Sequence, residues 1–198
     1  WTDQEYTEKD FSGADLTDAN LQHCQFTRCR FRGARLNDGL THASTFTDCD
    51  FTGAYLNGTD HEGSAFLNCI FRGANLFGAR FKECKMTGST FEEANLAGFT
   101  LTGGDWSYVN LRDHSLKAQD LRNVRFREAD LYKCDLQKAD LRGADLHRAV
   151  LAQTRLTGAD LRGANVEGVD LPALDLKGVR IDITQAVMLA RALGAKVD

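Results

Sequence analysis

Six cysteines, five histidines and a dense set of carboxylate–arginine pairs are the residues of this 198-residue chain with types suited to chemistry. Thiols can form disulfides, hold a metal or attack a substrate; imidazoles can ligate or move protons; paired carboxylates can serve as general acid and base. The spacing argues against all three. Cys24, Cys29, Cys49, Cys69, Cys84 and Cys134 lie multiples of five apart with no CxxC pair. His23, His42, His61, His114 and His147 form no i, i+4 pair and no HExxH, and there is no G-x-S-x-G, P-loop or G-x-G-x-x-G. Phrases such as Asp140-Leu141-Arg142 put each carboxylate beside a guanidinium, which lowers its pKa and suits it poorly to proton donation. These residues predict no enzyme, no cofactor and no metal site.

What positions them is a period of five. From Tyr6 to Ile181, 34 of the 36 positions in the column are apolar, with only Thr41 and His61 dissenting. Two residues earlier in each unit, from Gln4 to Val179, 30 of 36 are Ala, Cys, Ser, Thr, Gly or Val. An α-helix smears a five-residue repeat over every face, and a straight strand flips it from side to side. A short extended segment that turns a corner before each new unit keeps both residues inward. Repeated, that winds a coil around a dry interior.

The number of units per turn follows from comparing columns. At a spacing of 20, one column reads Leu16, Leu36, Leu56 and so on to Leu176; another runs from Phe11 through Phe91 and then Leu111 to Leu171. A spacing of 15 mixes them. Four units per coil predict an all-β, four-sided solenoid of about nine coils. Every cysteine then occupies the small inward slot, interchangeable with Ala and Ser, so the thiols read as packing. The Cys29, Cys49 and Cys69 ladder, at about 4.8 Å per coil, nears disulfide range.

The phrase Ala139-Asp140-Leu141-Arg142-Gly143, repeated as Ala159-Asp160-Leu161-Arg162-Gly163, resembles the pentapeptide-repeat family. The resemblance covers residues 4 to 181 without an insertion and implies a right-handed quadrilateral β-helix. The ending Leu176-Lys177-Gly178-Val179-Arg180-Ile181-Asp182, with Gln185-Ala186 and Leu193-Gly194, is similar to that of the Qnr and MfpA quinolone-resistance group. His61-Glu62-Gly63-Ser64-Ala65-Phe66 resembles a stretch of the mycobacterial member. That resemblance implies a DNA-mimicking homodimer, joined end to end, that binds DNA gyrase or topoisomerase IV. Such a protein modulates the enzyme, or protects it from quinolones or a natural topoisomerase poison. The alternative is a generic interaction solenoid with another protein partner. The unbroken register lacks the loops that project from many Qnr proteins, a departure that bears on quinolone protection.

The expected division is a β-helix over residues 1–181 and a capping and dimerisation segment over 182–198. Asp182 is placed to cap a helix with Gln185 three residues on, and Ile183, Ala186, Val187, Leu189, Ala190 and Leu193 follow at helical spacing before Gly194. Ile183, Val187, Leu189, Ala190 and Leu193 are the predicted dimer interface. Net charge is −4, and residues 1–100 carry 14 acids against 9 bases while the remainder carries 14 against 15. That balance argues against direct nucleic-acid binding, which needs basic patches, and permits imitation of nucleic acid. Only short apolar runs occur, so no membrane span or secretory core is read, and a cytoplasmic location is expected.

Irregularities gather in the second to sixth coils. Thr41 and His61 are polar in a core column, Phe99, His114 and Gln119 are oversized in the small slot, and that side is expected to bulge or turn residues outward. Lys9 in the first coil's slot predicts fraying there. Leu67, Ile70 and Phe77 point outward near Asp48, Asp50, Asp60 and Glu62, an apolar cluster with an acidic rim that is the candidate partner-binding surface. Asp120/Arg122, Asp140/Arg142 and Asp160/Arg162 should stack as a charge ladder.

Overall fold

In the computed structural model, residues 1–197 are described, and parallel hydrogen bonding recurs at 20 residues from Thr2–Gln22 to Asp160–Arg180, giving nine coils. The fold is a right-handed quadrilateral β-helix. Strands β1 (Glu5–Thr7), β3 (Gln25–Thr27), β5 (Thr45–Thr47) and β7 (Ala65–Leu67) stack on one face. Strands β2 (Asn20–Gln22), β4 (Leu40–His42), β6 (Asp60–Glu62), β8 (Arg80–Lys82) and β9 (Thr100–Thr102) stack on the adjoining one. The other two faces are single bridges in the same register. The faces are named here by their second-coil core residues: Leu21, Phe26, Phe31 and Leu36.

Local chemistry explains the five-residue phrase. Where an Asp or Asn precedes the large residue it commonly accepts the backbone N–H two positions on, as Asp50 does from Thr52 at 2.9 Å and Asn75 from Phe77 at 3.2 Å. The corner follows, with positive φ at 20 non-glycine residues as well as at most glycines. Corner N–H groups donate to the next coil, as Asp48 does to Leu67 O at 2.9 Å, which offsets the cost of the left-handed conformation. A polar side chain in the small slot reaches back one coil: Cys49 and Cys69 thiols reach Phe26 O and Phe46 O, each at 3.4 Å.

Inside, identical residues stack directly. Phe26, Phe46 and Phe66 rings are 4.8 and 4.7 Å apart and stacked nearly parallel, and Phe31, Phe51, Phe71 and Phe91 follow at 4.8, 4.9 and 4.9 Å. These spacings match the rise between neighbouring strands.

The first coil does not fray. Its ladder to the second coil is complete on all four faces, from Thr2–Gln22 through Asp15–Arg35. Lys9 avoids a desolvation cost because it lies at the open end, where it is exposed, while its carbonyl still accepts from Arg30 at 2.9 Å. The Trp1 ring packs against Tyr6 and Phe11, at 5.5 and 6.1 Å.

Thr41 and His61 also stay inside, at 6% and 2% exposure, against the expected outward turn. They satisfy each other: Thr41 Oγ1 is 2.7 Å from His61 Nδ1 and 2.9 Å from Ser64 Oγ. His61 Nε2 is 3.0 Å from Thr59 Oγ1, whose own proton goes to Leu56 O at 2.7 Å. Because the Thr59 proton is committed to Leu56 O, Nε2 is the donor to Thr59, and a neutral imidazole then leaves Nδ1 as an acceptor facing Thr41. Burial pulls the His61 pKa down to about 3.

The opposite end is closed by α1 (Ile183–Ala192), with Asp182 and Gln185 forming the reciprocal capping box. Gln185 is buried and donates from Nε2 to Leu161 O at 2.6 Å and Ala164 O at 2.8 Å, sealing two carbonyls of the last full coil.

Leu76 is fully buried in its column, so Leu76→Ala should cost about 2–5 kcal/mol in urea melts. Because the unfolded chain protonates His61 near its ordinary 6.5 and the folded chain only near 3, stability from this group is full above pH 6.5 and falls as pH drops toward 3. The slope is at most about 1.4 kcal/mol per pH unit. A Thr41→Leu/His61→Leu variant should show a shallower loss between pH 6.5 and 4; an unchanged acid limb would show that His61 protonates without resistance.

Candidate functional site

The candidate surface residues are distributed around the solenoid. Asp48, Asp50, Leu67 and Ile70 flank the corner between the Phe26 and Phe31 faces, and Asp50 pairs directly with Ile70 in the next coil. Asp60 and Glu62 lie in β6 on the Leu21 face, and Phe77 lies two residues beyond Asn75 on the Leu36 face. Leu67 and Ile70 thus share one corner and Phe77 lies on a later face of the same coil, as expected, while the acids expected close by divide between these faces. Ile70 and Phe77 are well exposed, Leu67 only partly.

The carboxylates of that set are mostly neutralised. Arg32 bonds Asp50, Arg80 approaches Asp60 at 3.5 Å, and Lys82 meets Glu62 at 2.6 Å; Asp48 accepts from the uncharged Asn68 at 3.2 Å. The Lys82 hydrogen bond, then its charge, holds Glu62 below the usual carboxylate range. The same pattern governs the later coils. Arg122, Arg142 and Arg162 each grip the aspartate two residues before them at 2.6 Å, and Arg122 and Arg180 reach between coils to Asp140 and Asp160. The Arg162 hydrogen bond is the main cause that takes Asp160 down to about 2. Carboxylates so held accept protons poorly near neutral pH and suit acid–base work badly.

The helix residues divide. Ile183, Val187 and Ala190 fall at i, i+4 and i+7, one stripe, with Ile183 84% exposed and the other two partly so. Leu193 at the C-cap is exposed as well. Leu189 instead packs on the core with Met188, beside Leu161, Val166 and Ile181. All six cysteines are free and buried, and burial pushes Cys84 and Cys134 up to about 12, so they remain thiols. Among the described residues no cluster of three potential metal ligands occurs, and no helix is long and apolar enough to cross a membrane.

The largest departure from regularity is an opening between coils. Leu76, Gly78 and Glu83 donate their N–H groups to Asn95, Ala97 and Thr102, but Leu96, Gly98 and Gly103 make no such bonds one coil later. The Asn75–Asn95 bridge has no successor at Ser115, and β9 has none at Asp120. The break spans the Leu36 and Leu21 faces. On the Phe31 and Phe26 faces the stack holds, through Phe91 N–H to Asn110 O at 3.2 Å and Trp106 N–H to Arg125 O at 2.7 Å.

Oversized slot residues cause it. His114 and Gln119 stand where other coils have Ala34, Ala54, Ala79 or Ala139, and each fills the space between coils. His114 Nε2 lies 2.7 Å from Phe91 O; burial lowers its pKa. Gln119 donates to Phe99 O at 2.9 Å and accepts from Leu101 N–H at 3.3 Å. Phe99 stays buried, against Phe81 and Trp106 at 5.3 and 5.9 Å. The expected bulge on this side thus takes the form of a parted ladder. Leu174, in the same slot column as His114, accompanies a second break, where a 3₁₀ turn (Leu171–Ala173) contains Pro172. The same size rule, applied to Leu174, locates that break too.

Comparison with known families matches a pentapeptide-repeat-region model to residues 44–121 and 74–149, and a model of eight pentapeptide repeats to residues 7–38 and 139–178. No curated protein matches. Three solved structures of QnrB1, described as a plasmid-mediated fluoroquinolone resistance protein, share the fold along its length. One trypsin-treated form is 22% identical with a TM-score of 0.86, covering 100% of this chain and 99% of that one. A second trypsin-treated form gives 0.77 at 22% identity with the same coverage, and the full-length form 0.76 at 21%, covering 98% and 99%.

Proposed function

The chain belongs to the pentapeptide-repeat family, and from that premise we propose that it is a binding protein that engages a type II topoisomerase, chiefly DNA gyrase. It does so as a DNA-like dimeric rod, and thereby modulates the enzyme or shields it from quinolones or a natural topoisomerase poison. One observation carries the reading: the similarity to the QnrB1 structures extends over the whole chain, terminal helix included. Shape supports it. Nine coils at about 4.8 Å each make a rod of roughly 43 Å, and two joined end to end approach about 90 Å. The stripe of Ile183, Val187 and Ala190, with Leu193, gives the capped end an apolar surface on which a twofold mate can sit. The cytoplasm, where the topoisomerase works, is the location this reading requires.

A second reading, an interaction solenoid for some other protein, draws on the ion pairs. Asp50, Asp60 and Glu62 are matched by Arg32, Arg80 and Lys82, so that part of the rod offers mixed charge where a duplex offers bare phosphates.

Supercoiling of relaxed plasmid by purified gyrase, with and without ciprofloxacin, separates these. Inhibition without drug, or restored supercoiling with it, is the expected result; no change in either arm at tenfold excess removes the topoisomerase reading. Ile183→Arg/Val187→Arg should halve the mass seen by light scattering while leaving the melting temperature within a few degrees. A monomeric parent, or a variant that stays dimeric, would place the oligomer contact elsewhere or nowhere.

A further inference from the structure

We propose that His23 and His42 form a surface site for a divalent transition-metal ion, copper(II) foremost, that clasps the second coil to the third. The site stands whatever protein the solenoid engages.

Coil geometry brings the two residues together. His23 is a corner residue with a φ of 54°, and His42 ends β4. They are 19 residues apart, which in this fold makes them neighbours: the His23 N–H donates to His42 O at 3.0 Å. A search for i, i+4 or HExxH spacing misses such a pair, because its period is that of the coil. The ring centroids are 5.8 Å apart, with the ring planes at 86°. With metal–nitrogen bonds of about 2.1 Å and angles of about 90–110° at the ion, two imidazoles that share it have centroids about 4.5–5.2 Å apart. Closing that difference takes about 1 Å, which rotation about the bonds of exposed side chains supplies. The backbone need not move, since β4 is paired on both sides, to β2 and to β6.

The other histidines are committed elsewhere. His61 is buried with both ring nitrogens engaged, His114 Nε2 lies 2.7 Å from Phe91 O, and His147 Nδ1 is 3.6 Å from Glu167. His23 and His42 are both exposed, and each has the other's ring as its aromatic neighbour.

Carboxylates flank the pair. Asp3 precedes His23 in the corner column, its N–H donating to Gln22 O at 3.0 Å in the same pattern, and it has no ion pair among the described residues. Glu62 follows His42 in register, but is tied to Lys82 at 2.6 Å. Asp3 is therefore the carboxylate at liberty to add negative charge beside the ion, and water completes the coordination. Imidazole nitrogens with open water positions suit copper(II), then nickel(II) and zinc(II), and offer little to magnesium or calcium, which want oxygen. An ion held between two coils stabilises the folded chain by mass action, and its open positions can take a donor from a partner.

The test uses tag-free protein in slightly alkaline buffer. Copper(II) would be titrated into the parent, His23→Ala, His42→Ala and, as a control, His147→Ala. Binding would be followed by calorimetry, melting temperature and electron paramagnetic resonance. The parent should bind one ion, show hyperfine splitting from two imidazole nitrogens, and melt higher with copper than without. Each of the two variants should bind at least about tenfold more weakly, because one arm of the chelate is gone, and lose the two-nitrogen signature; both lie on the surface and should keep the parent's melting temperature without metal. His147→Ala should bind as the parent does. No saturable binding by the parent, splitting from a single nitrogen, or equal affinity in either histidine variant would overturn the site, as would an equal loss in His147→Ala.

Discussion

The distance between successive coils is the constraint on which the rest of this structure depends. Parallel strands pair at about 4.8 Å, and the Phe26, Phe46 and Phe66 rings repeat at 4.8 and 4.7 Å. Two inward side chains per face must fit within that rise. One can be large, because identical flat or branched groups stack on themselves. The other must be small, because it sits where the backbone turns toward the next face. Cys, Ser and Thr pass the test and add a bond to the carbonyl one coil back. His114 and Gln119 fail it, and the hydrogen-bond ladder parts where they stand.

The acidic residues answer to the same geometry. An Asp before the large residue serves the N–H two positions on, and then serves an Arg on the same or the neighbouring coil. Much of the negative charge is thus present for folding reasons, and exposed pairs of this kind contribute little each. The proposed imitation of a polyanion therefore draws on the rod's length and regularity rather than on its ion-paired acids. That distinction separates the two functional readings more sharply than net charge does.

Much of the architecture was legible in the sequence because it is periodic. The 20-residue coil, the inward columns, the Asp182–Gln185 capping box and the Asp/Arg ladders all appear where their spacing puts them. What escaped was whatever depends on a partner outside the period. Thr41 and His61 read as misfits one at a time; Thr59 and Ser64, which make them fit, lie in other columns. Asp48, Phe77 and Glu62 are near in sequence, yet corners carry them to different faces. Leu189 obeys helical spacing, but only the seat of the helix on Leu161 and Ala164 decides that it points inward. The sizes of His114 and Gln119 announced a disturbance without saying whether side chains would swing out or coils would separate.

The parted ladder also changes what kind of mechanical object the molecule is. A fully bonded β-solenoid resists bending equally in every direction, because each face is laced from end to end. Here two faces are laced through residues 89–111 and 104–125 while the other two are not, so the rod has a compliant joint with a defined flexing plane near its middle. A body with such a joint can follow a curved channel that a straight rod of equal length would touch only at one point.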